Sequence, residues 1–233
     1  IRDRLNSSHR GSTDMFTLAL TIVPSILIIC VIVFSDRFVE PFGTVMYSFL
    51  LGVLICLPAG VLNTWLIWSQ PDPDHFVFLA GFTEEPLKFL AIYLFLRKKT
   101  EFNEPMDAIV YGTIISLGFA TLENFEYVYS PFAESSFYIA LLRSMTAIPM
   151  HASCGIVMGY FFGRYAFSGS KLFLAKSLIY PILFHSCYNF FCTYSPLLAV
   201  ALLILLIRYC YLLHNSFVEA QKLKIDEEEQ KLI

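Results

Sequence analysis

The sequence predicts an all-α fold, a polytopic bundle of about seven transmembrane helices, and three observations carry that prediction. Of its 233 residues 57% are hydrophobic and only 15% are charged, with a mean hydropathy of +0.63, which excludes an ordinary soluble domain. The apolar residues fall in runs of bilayer-crossing length separated by short polar links. Aromatic and basic residues gather at the ends of those runs, Trp65 and Trp68 at one, Arg97-Lys98-Lys99 at another, as interface anchors do.

The elements follow in order. Ile1 to Asp14 is polar, with Arg2, Arg4 and Arg10, and precedes a first helix over residues 15–34. That run is too long for a signal-peptide core and lacks a small-x-small site before Ser35-Asp36-Arg37, so it reads as a span. A chain that begins at Ile1 rather than methionine reads as a processed or trimmed one. The second helix covers 43–68, and an acidic turn, Gln70 to Asp74, leads into a third over 75–97. Pro86 lacks the amide proton that would bond the Phe82 carbonyl, so this third helix is expected to bend or loosen there. The fourth, 105–129, starts at Pro105, a favoured first-turn residue. Residues 130–147 are interrupted by Glu134 and Arg143 and read as an interfacial segment with a short helix. Helices over 148–166, 172–193 and 197–214 complete the bundle, and residues 215–233 read as a polar tail, solvated helix or disordered. The whole chain, 1–233, is thus one transmembrane domain with a terminal tail.

The connections alternate between two sides of the bilayer. The link after the first helix, the Arg97-Lys98-Lys99 loop, the Arg164 to Lys171 loop and the tail share one side and most of the basic residues. The positive-inside rule makes that side, and the C-terminus, cytoplasmic and the N-terminus external. A net charge of −3, with basic residues confined to short clusters, gives no reason to expect nucleic acid as a partner. All six cysteines lie in apolar runs without a CxxC pair and read as small packing residues.

Against this background Glu84, Glu85 and Lys88 stand out, since a charge at bilayer depth costs roughly 2.5–3.5 kcal/mol on insertion scales and needs a partner. On a helix Lys88 reaches Glu84 at i+4 and Glu85 at i+3. Counting inward from the outer ends of four helices at 1.5 Å per residue, Glu84, Glu85, Glu123, His151 and His185 fall at depths that agree within roughly 10 Å. A lone buried histidine is usually a satisfied core residue; convergence of five such groups points to a site. Asn189 shares a face with His185 and could orient a bound oxygen.

Two imidazoles and a carboxylate make a zinc set with a position left for water, and a further carboxylate could take that water's proton. A carboxylate of raised pKa could also activate water without metal, with His and Asn steadying the oxyanion. Either route gives peptide hydrolysis within the membrane, and these residues alone do not decide between them. No GxSxG and no phosphate-binding loop is present. The other readings are a non-catalytic scaffold binding partner helices and a proton-coupled transporter; no inverted repeat supports the latter.

Four motifs in order, Glu84-Glu85-Pro86-Leu87-Lys88 (EExxK), Phe119 to Asn124 (FxxxEN), His151 to Gly155 (HxxxG) and His185 to Asn189 (HxxxN), resemble the PrsW family of intramembrane proteases over residues 75–195. That family is related to the type II CAAX prenyl endopeptidases and to the scaffold subunit of gamma-secretase. The resemblance implies a protease in a bacterial plasma membrane that cuts a membrane-anchored protein, such as an anti-sigma factor, near the outer face. It implies Glu84 and Glu85 as the catalytic pair with Lys88 as charge partner, Asn189 polarising the scissile carbonyl, and Glu123, His151 and His185 as the remaining site residues, the set that would hold a Zn2+ ion on the metal-dependent route. The prenyl endopeptidases carry His where Glu123 stands, which argues against prenylated tails as substrates, and the scaffold relatives lack the acidic pair.

Overall fold

The computed structural model describes residues 2–230, with side chains described for 14–223, and among these residues the regular structure is all helical. Helix α1 is Arg2–Ser35, α2 is Phe42–Asn63 continued by a π-helical turn Thr64–Trp68, and α3 is Ala80–Ala91. Then come α4 Pro105–Val128, α5 Ser136–Met145, α6 Ala147–Ser168, α7 Lys171–Tyr194 and α8 Pro196–Gln230. Among the described residues five segments are long and apolar enough to cross a membrane: Asp14–Ser35, Phe42–Trp68, Pro105–Val128, Ser136–Ser168 and Pro196–Leu223. The expected third and sixth spans correspond to the interrupted 73–96 stretch and to α7.

Helix α4 is the centre. In its most apolar 18-residue window 89% of residues are buried, against 22% for the spans containing α1, α2 and α8, which therefore form the lipid-facing shell. Glycine lets α6 lie directly on α4: a Cβ at Gly155 would stand 2.7 Å from the Gly112 carbonyl oxygen, and one at Gly159 would stand 2.2 Å from that of Ala108. The same device joins α2 to α4, where a Cβ at Gly118 would meet the Phe49 carbonyl at 2.2 Å. Around these seams Ile92, Leu96, Ile109, Ile114, Met158 and Phe162 fill the core.

Two boundaries differ from the sequence reading. The expected single helix over 75–97 is a 3-10 turn Pro73–Leu79, then α3, then a π-helical turn Ile92–Leu96. Pro86 sits inside α3, and the departures from α geometry lie at its two ends. The tail expected from 215 instead begins as part of α8, because Leu213, Phe217 and Gln221 continue one buried stripe at i, i+4 and i+8. The side chains of Arg2, Arg4, Arg10, Lys224 and Lys231, which enter the orientation argument, lie outside the described residues.

Contacts at the two ends agree with the expected alternation of links. At one end the α1–α2 link, the start of α4 and α8 meet: Ser35 Oγ lies 2.8 Å from His214 Nε2, and Gln221 Nε2 donates to Asp36 Oδ1 at 2.9 Å and to Glu104 Oε1 at 2.5 Å. Asp107 accepts from the backbone N–H groups of Asn103 and Glu104 at 2.7 and 2.8 Å, closing the first turn of α4. The Tyr111 hydroxyl donates to Glu40, whose burial raises its carboxyl above the ordinary value. At the other end Thr193 of α7 donates to the Asp74 carbonyl at 3.3 Å, and Trp68 meets Tyr127 edge to face.

Two outcomes follow for stability. Gly159→Leu forces α6 off the α4 backbone and should lower the thermal unfolding temperature in detergent by the equivalent of about 1–3 kcal/mol or more; an unchanged temperature would contradict direct backbone contact at this seam. The folded chain holds the Glu40 proton more tightly than the unfolded chain, so this contribution is complete in acid and is lost as pH rises through the folded pKa. As pH rises from the ordinary glutamate range through the raised value in the folded chain, wild type should therefore lose stability relative to Glu40→Gln, as read from paired unfolding scans.

Candidate active site

The segment before α3 is tied to α7, and this tie aims the acidic pair. Asn189 donates to the Val77 carbonyl at 3.1 Å. A Cβ at Gly81 would lie 2.3 Å from Ser186 Oγ and 2.8 Å from the Ile182 carbonyl, so only glycine lets the two helices close. Glu85 and His185 are thereby brought within a hydrogen bond, His185 Nδ1–H donating to Glu85 Oε1 at 2.8 Å.

From there a chain of polar contacts crosses the bundle. Lys88 Nζ donates to the same Glu85 oxygen at 2.7 Å, lies 3.6 Å from Glu84 Oε2, and donates to His151 Nδ1 at 3.0 Å. A donor on Nδ1 fixes the His151 tautomer, so its Nε2–H donates to Glu123 Oε2 at 3.0 Å. Arg143 of α5 completes the line, Nη2 to Glu123 Oε2 at 2.5 Å and Nε to Asn124 Oδ1 at 2.7 Å. Lys88 also lies 4.2 Å over the Phe119 ring, which explains the first residue of the FxxxEN motif as a cation–π partner.

The structure thus brings together every residue singled out from the sequence, although not all at one point. Glu84, Glu85, His151 and His185 each offer a ligand atom, all within 4.8 Å of one another. Glu123 stands one hydrogen bond further out, between His151 and Arg143. Asn189 lines the cavity over the site while its amide N–H is committed to Val77. Glu84 Oε2 and Glu85 Oε2 are buried without a hydrogen-bond donor, so the cluster presents two free carboxylate oxygens to a cation or a water.

Glu84 and Glu85 have different outlooks. Glu84 lines a cavity of about 540 Å³ together with Glu123, Arg143, His151 and His185. Glu85 and Lys88, both 0% exposed, stand behind that wall. Asn63 of α2 holds Glu84 in place: its Nδ2 donates to Glu84 Oε1 at 3.0 Å while its Oδ1 accepts from Thr83 Oγ1 at 2.5 Å. Sequence reasoning passed over Asn63; the available signal was an amide inside an apolar run, next to where α2 departs from α geometry. Arg143 was noticed only as an interruption of an apolar segment.

Acids and imidazoles gathered inside a helical membrane bundle beside a cavity form an arrangement able to activate water within the bilayer. The model of the PrsW family intramembrane metalloprotease matches residues 40–213. A Protease PrsW of Halalkalibacterium halodurans is 33% identical over 183 residues, 75% of this chain and 83% of the relative. That of Bacillus subtilis is 35% identical over 179 residues, 74% and 80% of the two chains, and that of Clostridioides difficile 32% over 203 residues, 82% and 84%. No solved structure matches. The chain belongs to the PrsW family of intramembrane proteases.

Removing Lys88 would leave Glu85 buried beside Glu84 without its cation. Lys88→Met is therefore expected to destabilise by about 3–5 kcal/mol, and Glu85→Gln in the same chain to recover part of that loss. Thermal unfolding of the single and double variants in detergent measures the coupling, and additive losses would contradict the ion pair.

Proposed function

We propose that this protein hydrolyses a peptide bond of a membrane-anchored protein, an anti-sigma factor being the substrate class the family resemblance implies, near the outer face of a bacterial plasma membrane with its C-terminus cytoplasmic. The observation that carries the reading is the meeting of Glu84, Glu85, His151 and His185, from three helices, within 4.8 Å. Glu84 is the one acid of the pair that faces the cavity, and it has a free oxygen. It is the group placed to accept a proton from an attacking water and return it to the departing amine. The donor set suits zinc, with Glu85, His151 and His185 as the residues that would hold it once the Lys88 ammonium, which donates to His151 Nδ1 at 3.0 Å, gives up that nitrogen. Such an ion, when bound, supplies Lewis acidity to water and to the scissile carbonyl.

The remaining residues position these groups. Glu123, clamped by Arg143, orients His151 from behind, as a carboxylate behind a ligating imidazole does. Asn63 holds Glu84 Oε1, which leaves Oε2 for the proton. Asn189 acts through the Pro73–Leu79 segment it anchors, and its place on the cavity wall keeps it near a substrate carbonyl.

One observation favours a second reading, hydrolysis without metal: Lys88 already supplies a cation against Glu85 and His151. The test covers both. Purified protein should contain about one zinc per chain, and a chelator should stop cleavage of a membrane-anchored peptide. Glu84→Gln should lower kcat by about 10²–10⁴-fold and keep the metal, whereas His185→Ala should lose both. Cleavage that survives the chelator but not Glu84→Gln would select the metal-free route, and cleavage retained in both variants would remove the site.

A further inference from the structure

A second cavity, of about 820 Å³, lies beside the first between α2, α4 and the 130–139 segment. The two share Asn63, Trp68, Glu84, Glu123 and Tyr127, so Glu84 stands at the seam and can be approached from both. Their characters differ. The first is lined by Asp74, Arg143, Asn189 and Thr193 among apolar residues such as Val77 and Met150; the second is walled chiefly by Cys56, Leu57, Val61, Phe119, Phe132 and Ile139, with Thr64, Glu126 and Ser130 as its further polar residues. Leu57 and Val61 are 55% and 70% exposed, so the cavity borders the outward face of α2, part of the lipid-facing shell. Its volume lies within the range of about 300–1,000 Å³ typical of ligand pockets.

We propose that this apolar cavity is the subsite for the membrane-embedded side of the same substrate, and that the scissile bond crosses the seam at Glu84 with the substrate's polar continuation in the first cavity. The inference rests on the protease reading. Its occupant follows from continuity with the site: a membrane-anchored protein offers an apolar segment running in from lipid, joined to a polar one near the surface. That order of polarity is the one the joined cavities present. Backbone geometry agrees at Gly60. Unlike Gly52 on the same helix, where a Cβ would meet the Ile115 carbonyl at 2.1 Å, a Cβ at Gly60 meets nothing within 4 Å. Gly60 serves no helix contact; its missing side chain widens the cavity it lines. The Trp68–Tyr127 pair, ring centroids 6.4 Å apart, lies along the seam and belongs to both walls.

Because a Cβ at Gly60 meets nothing within 4 Å and glycine inside a helix is unfavourable, unfolding temperatures of Gly60→Leu and Gly60→Trp should be no lower than wild type. Two membrane-anchored peptides are compared, one with phenylalanine and one with alanine on the membrane side of the cut. The larger substitution should raise KM for the phenylalanine peptide at least tenfold, with kcat and the alanine peptide changed less than twofold. Equal KM values across variants would overturn the subsite. Disulfide capture gives a readout independent of cleavage: in a chain whose Cys56 is replaced by alanine, Gly60→Cys should trap a peptide thiol on the membrane side, and the native Cys192, which lines the first cavity, a thiol on the polar side. Reversed capture, or capture at Gly60→Cys of a thiol-bearing phospholipid that neither peptide displaces, would assign the cavity to another role or to lipid. If wild type cleaves neither peptide but capture follows the expected order, the protease reading fails and takes the scissile bond at Glu84 with it, while the two cavities are still shown to seat an apolar segment and its polar continuation in that order.

Discussion

The Lys88 ammonium is 0% exposed and lies within hydrogen-bond distance of a carboxylate on its own helix and an imidazole from α6. In a medium that cannot solvate it, such a cation is tolerable only if its neighbours are held close, and removing either side leaves an uncompensated charge. That requirement fixes the relative placement of α3, α6 and α7. Glu85 must sit beside His185, His151 must turn one nitrogen to Lys88, and its other nitrogen must then find Glu123. Arg143 neutralises the far end. The site is therefore a single electrostatic unit, in which the position of each group is set by the charge of the next.

Glycine is what allows helices to come near enough for this. Gly81 admits α7 against α3, and Gly112, Gly155 and Gly159 let α4 and α6 touch backbone to backbone. Side-chain hydrogen bonds then span helices that larger residues would have kept apart. The rigid contacts lie behind the site, whereas both cavities lie beside two departures from α geometry, Thr64–Trp68 and Pro73–Leu79. Such departures release backbone groups and re-aim side chains, and they recur near functional sites.

Much of this was legible in the sequence. Charged residues are so costly in an apolar run that Glu84, Glu85 and Lys88 had to be partnered, and counting residues from helix ends placed their partners at one depth. The resemblance to the PrsW family, carried by the same residues, pointed to the same chemistry. What stayed hidden depends on azimuth rather than depth. Periodicity does not say that Asn63 turns toward Glu84 instead of lipid, or that Glu84 and Glu85, adjacent in sequence, face a cavity and the interior respectively. Arg143 read as an interruption because its partner, Glu123, is twenty residues away on a different helix. That the helix beyond 214, expected as solvated or disordered, packs on the bundle was missed because one of its buried residues is the polar Gln221, which is paired to acids at the bundle's end.

The unequal burial of the helices has a consequence for how the chain enters its membrane. The most hydropathic spans, at 2.8 and 2.3, are those least covered by protein, while Pro105–Val128 and Ser136–Ser168, at 1.3 and 1.2, are the most enclosed. Solvent affinity and mutual contact have been exchanged. The outer spans partition into lipid on their own account; the inner two, laden with Glu, His and Arg, are weak clients of the insertion machinery and are retained in the bilayer by companions that shield them. Biogenesis of the catalytic core is thus a collective event, with the shell acting as its first solvent.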